Sequence, residues 1–462
     1  MITVKDANEK EYLFLFELGM IQDGKTVLDN YKKNLSYLNR IKPSTIEAVI
    51  IGHVHCDHIG CIPWLYANKK ANVRIIAPKY STNLLKEMWL DSAYINQRDA
   101  EYLTWKYEKV YEPIYTEEDV YEALKYVEEY DSNEIHSITD DLSIRYIPAG
   151  HILCSQQTEV FIKDNANTKK IVFTSDLGNL ITQNNRVFVE NFTPITKANI
   201  VIGESTYGER SKKNSSKKDL ELDIQKIKAV IEQYCIESHH RVLIPTFSLD
   251  RTPYIIWILF SLFGKDDSFK VPILIDSPLA IRLLRHYSNI LIDTPVKQQY
   301  DDMIAWQNLK LIEEPEESKA AMSESGAKII CSSSGMLSAG RSVKWAQNIL
   351  PKEQDCILFI GYAGKDTLAY RIKNGKSQKT ITINGKQVKN KCQIVDLKSF
   401  SSHMQRNDLI NYYKSFNCEK IYLVHGDAQA RIDLKEDLQE AISKCLKTTK
   451  VIIPNRSTKI YV

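Results

Sequence analysis

The sequence predicts an α/β protein in which one layered unit is interrupted by a second. Three observations carry this. Apolar, β-branched runs of strand length alternate with helical stretches over about the first 190 residues, the pattern of α/β layers. The alternation restarts in the middle of the chain and then returns to strand-like text near the end. Histidine and aspartate fall just after several of the strand-like runs, where α/β folds place their sites.

In the first unit the runs "EYLFLFEL", "IEAVIIG", "VRIIAP", "LSIRYIPAG" and "KKIVFTSD" read as strands. "IGCIPWLYANKK" begins with Gly60 and Pro63 and reads as a helix with an apolar face. Residues 80–130 read as mostly helical, with Thr116 of "TEEDV" as a helix cap and acids in the first turn. The second unit offers "ANIVIGES", "HRVLIPTFS", "VPILIDSP", "AKIICSSS" and "CILFIGYA" as strands, separated by helices such as "LELDIQKIKAVIEQYCIES". The basic run "RSKKNSSKK" (Arg210 to Lys218) reads as a mobile, solvated loop. "CQIVDL" and "KIYLVHG" return to strand text, followed by a helix and "KVIIPNRSTKIYV". The expected boundaries are 1–196, 197–375 and 376–462.

With 462 residues the chain has room for two or three domains. An apolar content of 43% and a charged content of 26% are those of a soluble globular protein. A formal net charge of +3 permits a polyanion in a local basic groove without arguing for one. Nine cysteines, an odd number with no C-x-x-C pair, fit a reducing compartment. The N-terminus has no signal-peptide core, and the longest apolar run, "YIIWILFSLFG", is too short to span a bilayer. That run reads as a buried helix. A cytoplasmic protein with no membrane partner is expected.

The stretch "GHVHCDHIG" concentrates His53, His55, Asp57 and His58 in a chain of only ten histidines. By chance this pattern would arise in roughly three of ten thousand such chains, so it is specific. It follows the apolar run "IEAVII" on a strand end. Imidazole and carboxylate suit zinc or a related divalent ion. His53 and His55 point the same way in an extended turn, and Asp57 and His58 can serve a second ion. Cys56 alternates away from His55 and reads as packing. Later strand ends add His151, Asp176 and His425. A carboxylate such as Asp176 can bridge two ions, and the seven together are what a two-metal site needs.

"HVHCDH", "AGH" and "SDLG", in this order, resemble the metallo-β-lactamase fold. "GESTYG", "SFSSH" and "LVHG" resemble the β-CASP nucleases within that superfamily, as do "FELGMIQ", "PTFSLDR", "IDSPLA" and "SSSGMLSAGR". The resemblance spans nearly the whole chain. It implies an αββα sandwich with an inserted α/β domain. It also implies two zinc ions per chain, one on His53, His55 and His151, the other on Asp57, His58 and His425, with Asp176 bridging. The implied activity is a ribonuclease, endo- or 5′-exonucleolytic, in which a zinc-activated hydroxide attacks an RNA phosphodiester. Asp57 would accept a proton, and His403 would protonate the leaving oxygen with Glu204 holding its imidazole. A homodimer is a further expectation.

"SSSGM" offers Ser332, Ser333, Ser334 and Gly335 either as a phosphate cradle or as an ordinary capped turn. Arg251 is expected to pair with a phosphate or with a domain-interface carboxylate. The chain departs from the family pattern at Glu17, usually Asp; Gly52, usually Thr; and Cys154 and Ser175, both usually Gly. The opening strand is expected to be shortened or absent. The rival readings are a small-molecule metallohydrolase of thioesterase or lactonase type, a DNA-directed β-CASP nuclease and a non-catalytic RNA-binding subunit. His425 favours RNA over DNA, the β-CASP motifs argue against the small-molecule enzyme, and the full ligand set argues against the scaffold.

Overall fold

The computed structural model describes the chain except residues 1, 6–10, 25, 70–71, 165–166, 362, 365, 376–377, 456–457 and 459–462. The end of "KVIIPNRSTKIYV" therefore lies outside the described residues. The first sheet contains β1 (Ile2–Lys5), β2 (Glu11–Phe16), β3 (Ile46–Ile50), β4 (Arg74–Pro78) and β5 (Val127–Tyr130), in that order. β1 is antiparallel to β2, and all later neighbours are parallel. The opening strand is thus present, with four residues.

The chain then enters a second sheet through β6 (Ile135–Ser137), β7 (Leu142–Pro148), β8 (Gln156–Asp164) and β9 (Asn167–Phe173), in which β6–β7, β7–β8 and β8–β9 pair antiparallel. β10 (Ile200–Gly203) then pairs with β9 in parallel.

A six-stranded parallel sheet follows. It uses β11 (Arg241–Pro245), β12 (Ile273–Ile275), β13 (Leu309–Leu311), β14 (Lys328–Ser332) and β15 (Cys356–Phe359). A hairpin of β16 (Thr380–Ile383) and β17 (Lys386–Lys389) precedes its last strand, β18 (Gln393–Asp396). The order is β13-β12-β14-β11-β15-β18. The run "YIIWILFSLFG" lies in the buried helix Arg251–Phe263, as its composition predicts.

β19 (Lys420–Leu423) and β20 (Lys450–Ile452) complete a seven-stranded sheet of order β20-β19-β10-β9-β8-β7-β6. Its inner face packs on the first sheet: Phe14, Ala48, Ile50 and Ile76 share a core with Ile144, Tyr146, Ile171 and Ile200. Its outer face is covered by the helices Arg406–Ser415 and Ala428–Lys444, which bury Leu409, Tyr413, Leu434 and Leu438 against Val172, Val201 and Ile421. Ile171 and Val172 fall in the two opposite cores because successive strand residues point to opposite faces. The helix Ser81–Tyr107 lies against β4 and β5 on the other sheet. This is the αββα arrangement, with a separate α/β unit inserted in the chain.

By contacts, one unit is Met1–Leu180, Val189–Asn214 and His403–Val462, and the other is Ile181–Phe188 and Ser215–Ser402. Several elements differ from their sequence reading. The "ANIVIGES" strand belongs to the first unit, because Ile200–Gly203 pairs with both β9 and β19. "CQIVDL" belongs to the second, because β18 pairs with β15. Val127–Tyr130 is an edge strand, not helix, and Arg74 grips Glu128 there through two hydrogen bonds of 2.7 Å. "IGCIPWLYANKK" forms a 3₁₀ helix, Ile62–Lys69, after one short α-helical turn at Cys56–Ile59. β8 escaped the hydrophobic pattern because Gln156, Gln157, Thr158 and Glu159 are buried polar residues. Thr116 caps its helix as expected, in a capping box with Asp119.

One close approach aligns the loops that carry the site. Gly178 packs on Gly150, where a Cβ would lie 2.0 Å from the Gly150 carbonyl oxygen. Only glycine permits the chain after β9 to cross the loop after β7 at that distance.

The second unit is anchored by Arg241 at the start of β11. Its guanidinium and backbone N–H donate to the Asp355 carboxylate at 2.5–3.1 Å, and both residues are buried. Asp355→Ala leaves a buried cation without its partner and should cost about 3–5 kcal/mol. Denaturant titration followed by far-UV circular dichroism should show the lowered midpoint.

Candidate metal centre

Every candidate ligand sits just beyond a strand of the first unit. Glu17 follows β2, His53 follows β3, His151 follows β7, Asp176 follows β9, Glu204 follows β10 and His425 follows β19. β7 runs in the same direction as β9, because the intervening β8 is antiparallel to both. All these side chains therefore leave the C-terminal ends of their strands. His55 occupies the N-cap position of the short helix that carries Asp57 and His58, without a side-chain capping bond.

The seven predicted ligands gather in two groups. His53, His55, His151 and Asp176 form one, and Asp57, His58 and His425 form the other. In the first, His55 Nδ1 is 3.2 Å from His53 Nε2 and 3.3 Å from His151 Nε2. In the second, His425 Nε2 is 3.1 Å from His58 Nε2 and 3.3 Å from Asp57 Oδ2. Asp176 divides its carboxylate between them. Oδ2 lies 3.6 Å from His53 and 3.5 Å from His151, while Oδ1 lies 3.4 Å from His58 and 3.3 Å from His425.

These residues fit a metal. A tetrahedral ion with metal–nitrogen bonds of about 2.0–2.1 Å separates its ligand nitrogens by roughly 3.3 Å. Among the described residues, no well-formed hydrogen bond satisfies the buried Asp176 Oδ1; its neighbours are the imidazoles of His58 and His425. A cavity of about 360 Å³ reaches the cluster and is lined in part by Glu17, Asp57, His58, Asp176 and His425. Cys56 takes no part in either group; its Sγ lies 3.5 Å from Ser92 Oγ, and burial pushes its thiol up to about 12.

Electrostatics distinguish the two groups. Burial and the neighbouring His53 push His55 down to about 3. Burial and His403 depress His151 well below the ordinary imidazole value. Burial would also lower His425, but Asp176 and Asp57 push it up to about 9. Burial opposes a charge on His58 too, yet Glu17, Asp176 and Asp57 raise it well above its ordinary value. Without metal, His55 and His151 are neutral at pH 7, whereas His58 and His425 hold protons.

His403 stands beside the cluster, in the first unit. Its Nδ1 is 3.6 Å from Glu204 Oε1 and 3.9 Å from Asp176 Oδ2, and its ring lies 4.5 Å from that of His151. Backbone bonds fix this placement: Met404 N–H donates to Leu177 O at 2.7 Å, and Gly178 bridges to His403. Glu204 is buried and accepts from the N–H groups of Leu177 and Thr206 at 2.8 and 3.1 Å. Sequence reading did not single out Thr206, whose Oγ1 lies 3.1 Å from His425 Nδ1, or Ser155, whose Oγ accepts from the backbone N–H groups of His151 and Ile152. Thr206 belongs to "GESTYG", so its nearness to Glu204 was the available signal.

The side chains named as phosphate candidates all have partners within the second unit. The Arg251 guanidinium is buried in the second unit and donates to the carbonyls of Ile360 and Phe400 and to Ser402 Oγ. The Ser332 hydroxyl is buried and donates to Asp276 O at 2.7 Å. Ser333 Oγ lies 2.8 Å from Ser248 Oγ, and Ser334 Oγ caps Ser338 N at 2.9 Å; Gly335 is half-buried beside them. The serines thus serve hydrogen bonds in and beside this turn, and the helix that follows, Arg341–Ile349, starts at Gly340 without a side-chain cap. Arg210, expected in a solvated loop, is held by Glu436 and Asp437.

A two-sheet sandwich that converges imidazoles and carboxylates at its strand ends defines a metallo-hydrolase. Residues 10–155 match the metallo-beta-lactamase superfamily, residues 254–372 the Beta-Casp domain and residues 387–454 the Zn-dependent metallo-hydrolase RNA specificity domain. An RNase J-like protein of Methanocaldococcus jannaschii is 27% identical over 88% of each chain. Ribonuclease TTHA0252 of Thermus thermophilus is 25% identical over 85% of this chain and 84% of its own. Transcription termination factor FttA of Pyrococcus horikoshii is 24% identical over 85% of this chain, which spans 59% of that protein. The chain belongs to the β-CASP family of the metallo-β-lactamase superfamily. Among the described residues no helix is long and apolar enough to cross a membrane, and all nine cysteines are free.

Ligand imidazoles must be neutral at the coordinating nitrogen, so metal binding at pH 7 should expel protons from His58 and His425. Calorimetry in buffers of different ionisation enthalpy should report release of about two protons. Affinity should rise with pH between 6 and 8, since both groups lose protons in that direction.

Proposed function

We propose that this protein is a zinc-dependent ribonuclease that hydrolyses RNA phosphodiester bonds with two zinc ions per chain. The observation that carries the reading is the Asp176 carboxylate, one oxygen toward each histidine group. Relatives named as ribonucleases support RNA as the substrate class. The free cysteines fit a cytoplasmic setting.

Zinc, when bound, lowers the pKa of water toward neutrality and neutralises charge on a phosphodiester. The chain's own groups then divide the work. Asp57 has a side chain 52% exposed, more open than the buried Asp176, and would orient the attacking water and accept its proton. His403, 22% exposed, is within reach of substrate without completing either ligand group, and it gives a proton to the leaving oxygen. Glu204 holds the imidazole from behind, itself fixed by two backbone N–H groups.

Labelled RNA, the same sequence as DNA, and thioester and lactone substrates, each with and without chelator, separate this reading from its rivals. Cleavage of RNA alone, abolished by chelator, is expected. Sedimentation of the same preparation reads whether the active form is a homodimer. Elemental analysis should find about two zinc ions per chain, and Asp176→Ala should weaken both sites together.

His403→Ala should fold normally and keep its zinc, yet lose RNA cleavage by about 10²–10⁴-fold. The ribose 3′-oxygen is a poor leaving group near neutral pH unless it gains a proton. A substrate with sulfur at that position needs no proton and should recover much of the rate in His403→Ala but not in Asp57→Ala. Equal slowness of His403→Ala on both substrates, or loss of its zinc, would refute the general-acid role.

A further inference from the structure

Three of the positions where the sequence departs from the family pattern meet at Ser175 behind the cluster: its hydroxyl bonds Glu17, and Gly52 approaches it closely. Glu17 Oε2 lies 2.5 Å from His58 Nδ1. Glu17 Oε1 accepts from Ser175 Oγ at 2.6 Å, and the same hydroxyl lies 2.9 Å from His53 Nδ1. Glu17 Oε1 is itself 3.7 Å from that nitrogen. Burial opposes its charge, but His58 and His53 hold the Glu17 carboxyl well below the usual carboxylate range.

The proton count along this chain is forced. A carboxylate only accepts, so Ser175 spends its single O–H proton on Glu17 and must accept from His53 Nδ1–H. Glu17 Oε2 likewise accepts from His58 Nδ1–H. In both rings this leaves Nε2 as the atom that offers a lone pair once the ring is neutral. Those Nε2 atoms lie 3.6 and 3.4 Å from the two oxygens of Asp176. Glu17 therefore does behind the rings what Asp176 does in front of them: one carboxylate addresses one imidazole of each group.

Gly52 makes room for this relay. A Cβ there would lie 2.5 Å from Ser175 Cβ and 2.6 Å from Ser175 Oγ. Ser175 itself has a φ of 48°, a backbone state that glycine adopts more cheaply. The serine is held in an unfavourable conformation at the one place where its hydroxyl joins Glu17 to His53.

We propose that Glu17, Gly52 and Ser175 form one positioning unit that sets the tautomer of His53 and His58 together and so couples the two metal sites. The inference rests on the dinuclear metal reading, not on the identity of the substrate. The test uses metal-stripped full-length protein, Zn²⁺ in competition with a chromophoric chelator, and the visible spectrum of the Co²⁺-substituted form. Ser175→Ala should keep the wild-type melting temperature, weaken one of two sites by about 10–100-fold and change the spectrum of that ion only. Glu17→Gln should weaken both sites. Gly52→Ala should lower the melting temperature and weaken the same site as Ser175→Ala. Adding Ser175→Gly should restore most of the melting temperature without restoring that site.

Wild-type affinity and an unchanged Co²⁺ spectrum in Ser175→Ala would overturn the proposal, as would a Glu17→Gln variant weakened at one site alone. A wild-type protein that binds fewer than two ions would overturn it as well. No RNA enters these measurements. A protein that binds two ions as described yet cleaves no RNA would sink the proposed activity and leave this unit standing.

Discussion

Asp176 is buried with Oδ1 set between His58 and His425 and Oδ2 between His53 and His151. Removing a carboxylate from water costs several kcal/mol unless opposite charge repays it. Burial would raise its pKa, but His425, His58 and His53 hold it well below the usual range. The cluster is thus stable only as a set: each imidazole cation has a carboxylate to answer, and each carboxylate needs a cation. That mutual requirement dictates where the two sheets of the sandwich must end. His53 and His58 come from the loop after β3 in one sheet, while His151, Asp176 and His425 come from loops after β7, β9 and β19 in the other. The shared core of Phe14, Ile50, Ile171 and Ile200 holds those strand ends together.

The same requirement explains the unequal character of the two groups. His55 and His151 have mostly other imidazoles around them, so burial wins and they are neutral. His58 and His425 face two or three carboxylates, so Coulomb attraction wins over burial. One half of the cluster is ready for a cation before it arrives, and the other must exchange protons for it. Asp57, half exposed, lies on the proton-holding side, where a proton acceptor is useful.

Much of this was legible in the sequence, for reasons that can be stated. The seven candidate residues stood out because imidazole and carboxylate are rare just after apolar, β-branched runs, and those runs are interior strands whose burial writes itself into composition. Elements that break the composition rule were missed. β8 buries polar side chains, and Val127–Tyr130 is an edge strand with two glutamates. Assignment of β10 and β18 to their sheets depends on pairing partners far along the chain, such as Ile200 with Lys420, which no local pattern encodes. Arg251 left a phosphate and a carboxylate open as partners because a guanidinium beside serine- and glycine-rich motifs looks like an anion site. Its partners include the carbonyls of Ile360 and Phe400, which leave no trace in side-chain chemistry, together with Ser402 Oγ and, at 3.8 Å, the neighbouring Asp250 carboxylate.

Backbone conformation was the least legible layer, and it is concentrated at the site. Glu17, Cys154, Ser175 and His425 all have positive φ, between 46° and 63°. Each lies just past the end of a strand or in the loop that carries a ligand. A chain leaving an extended strand must turn sharply to aim its next side chain back across the sheet ends, and the left-handed region provides that turn. For residues other than glycine the conformation costs about 1–2 kcal/mol each. Such costs persist only where the surroundings over-determine the conformation. At His425 the compensating contacts are Asp57, Asp176 and Thr206, and at Ser175 they are Glu17 and His53. At Cys154 burial of an apolar thiol, whose pKa desolvation pushes well up, accompanies the strain, and Ser155 next to it fastens the His151 backbone. The strain and the ligand geometry are therefore one feature: the bonds that hold these residues in an unfavourable backbone state are the same bonds that aim the metal-facing side chains.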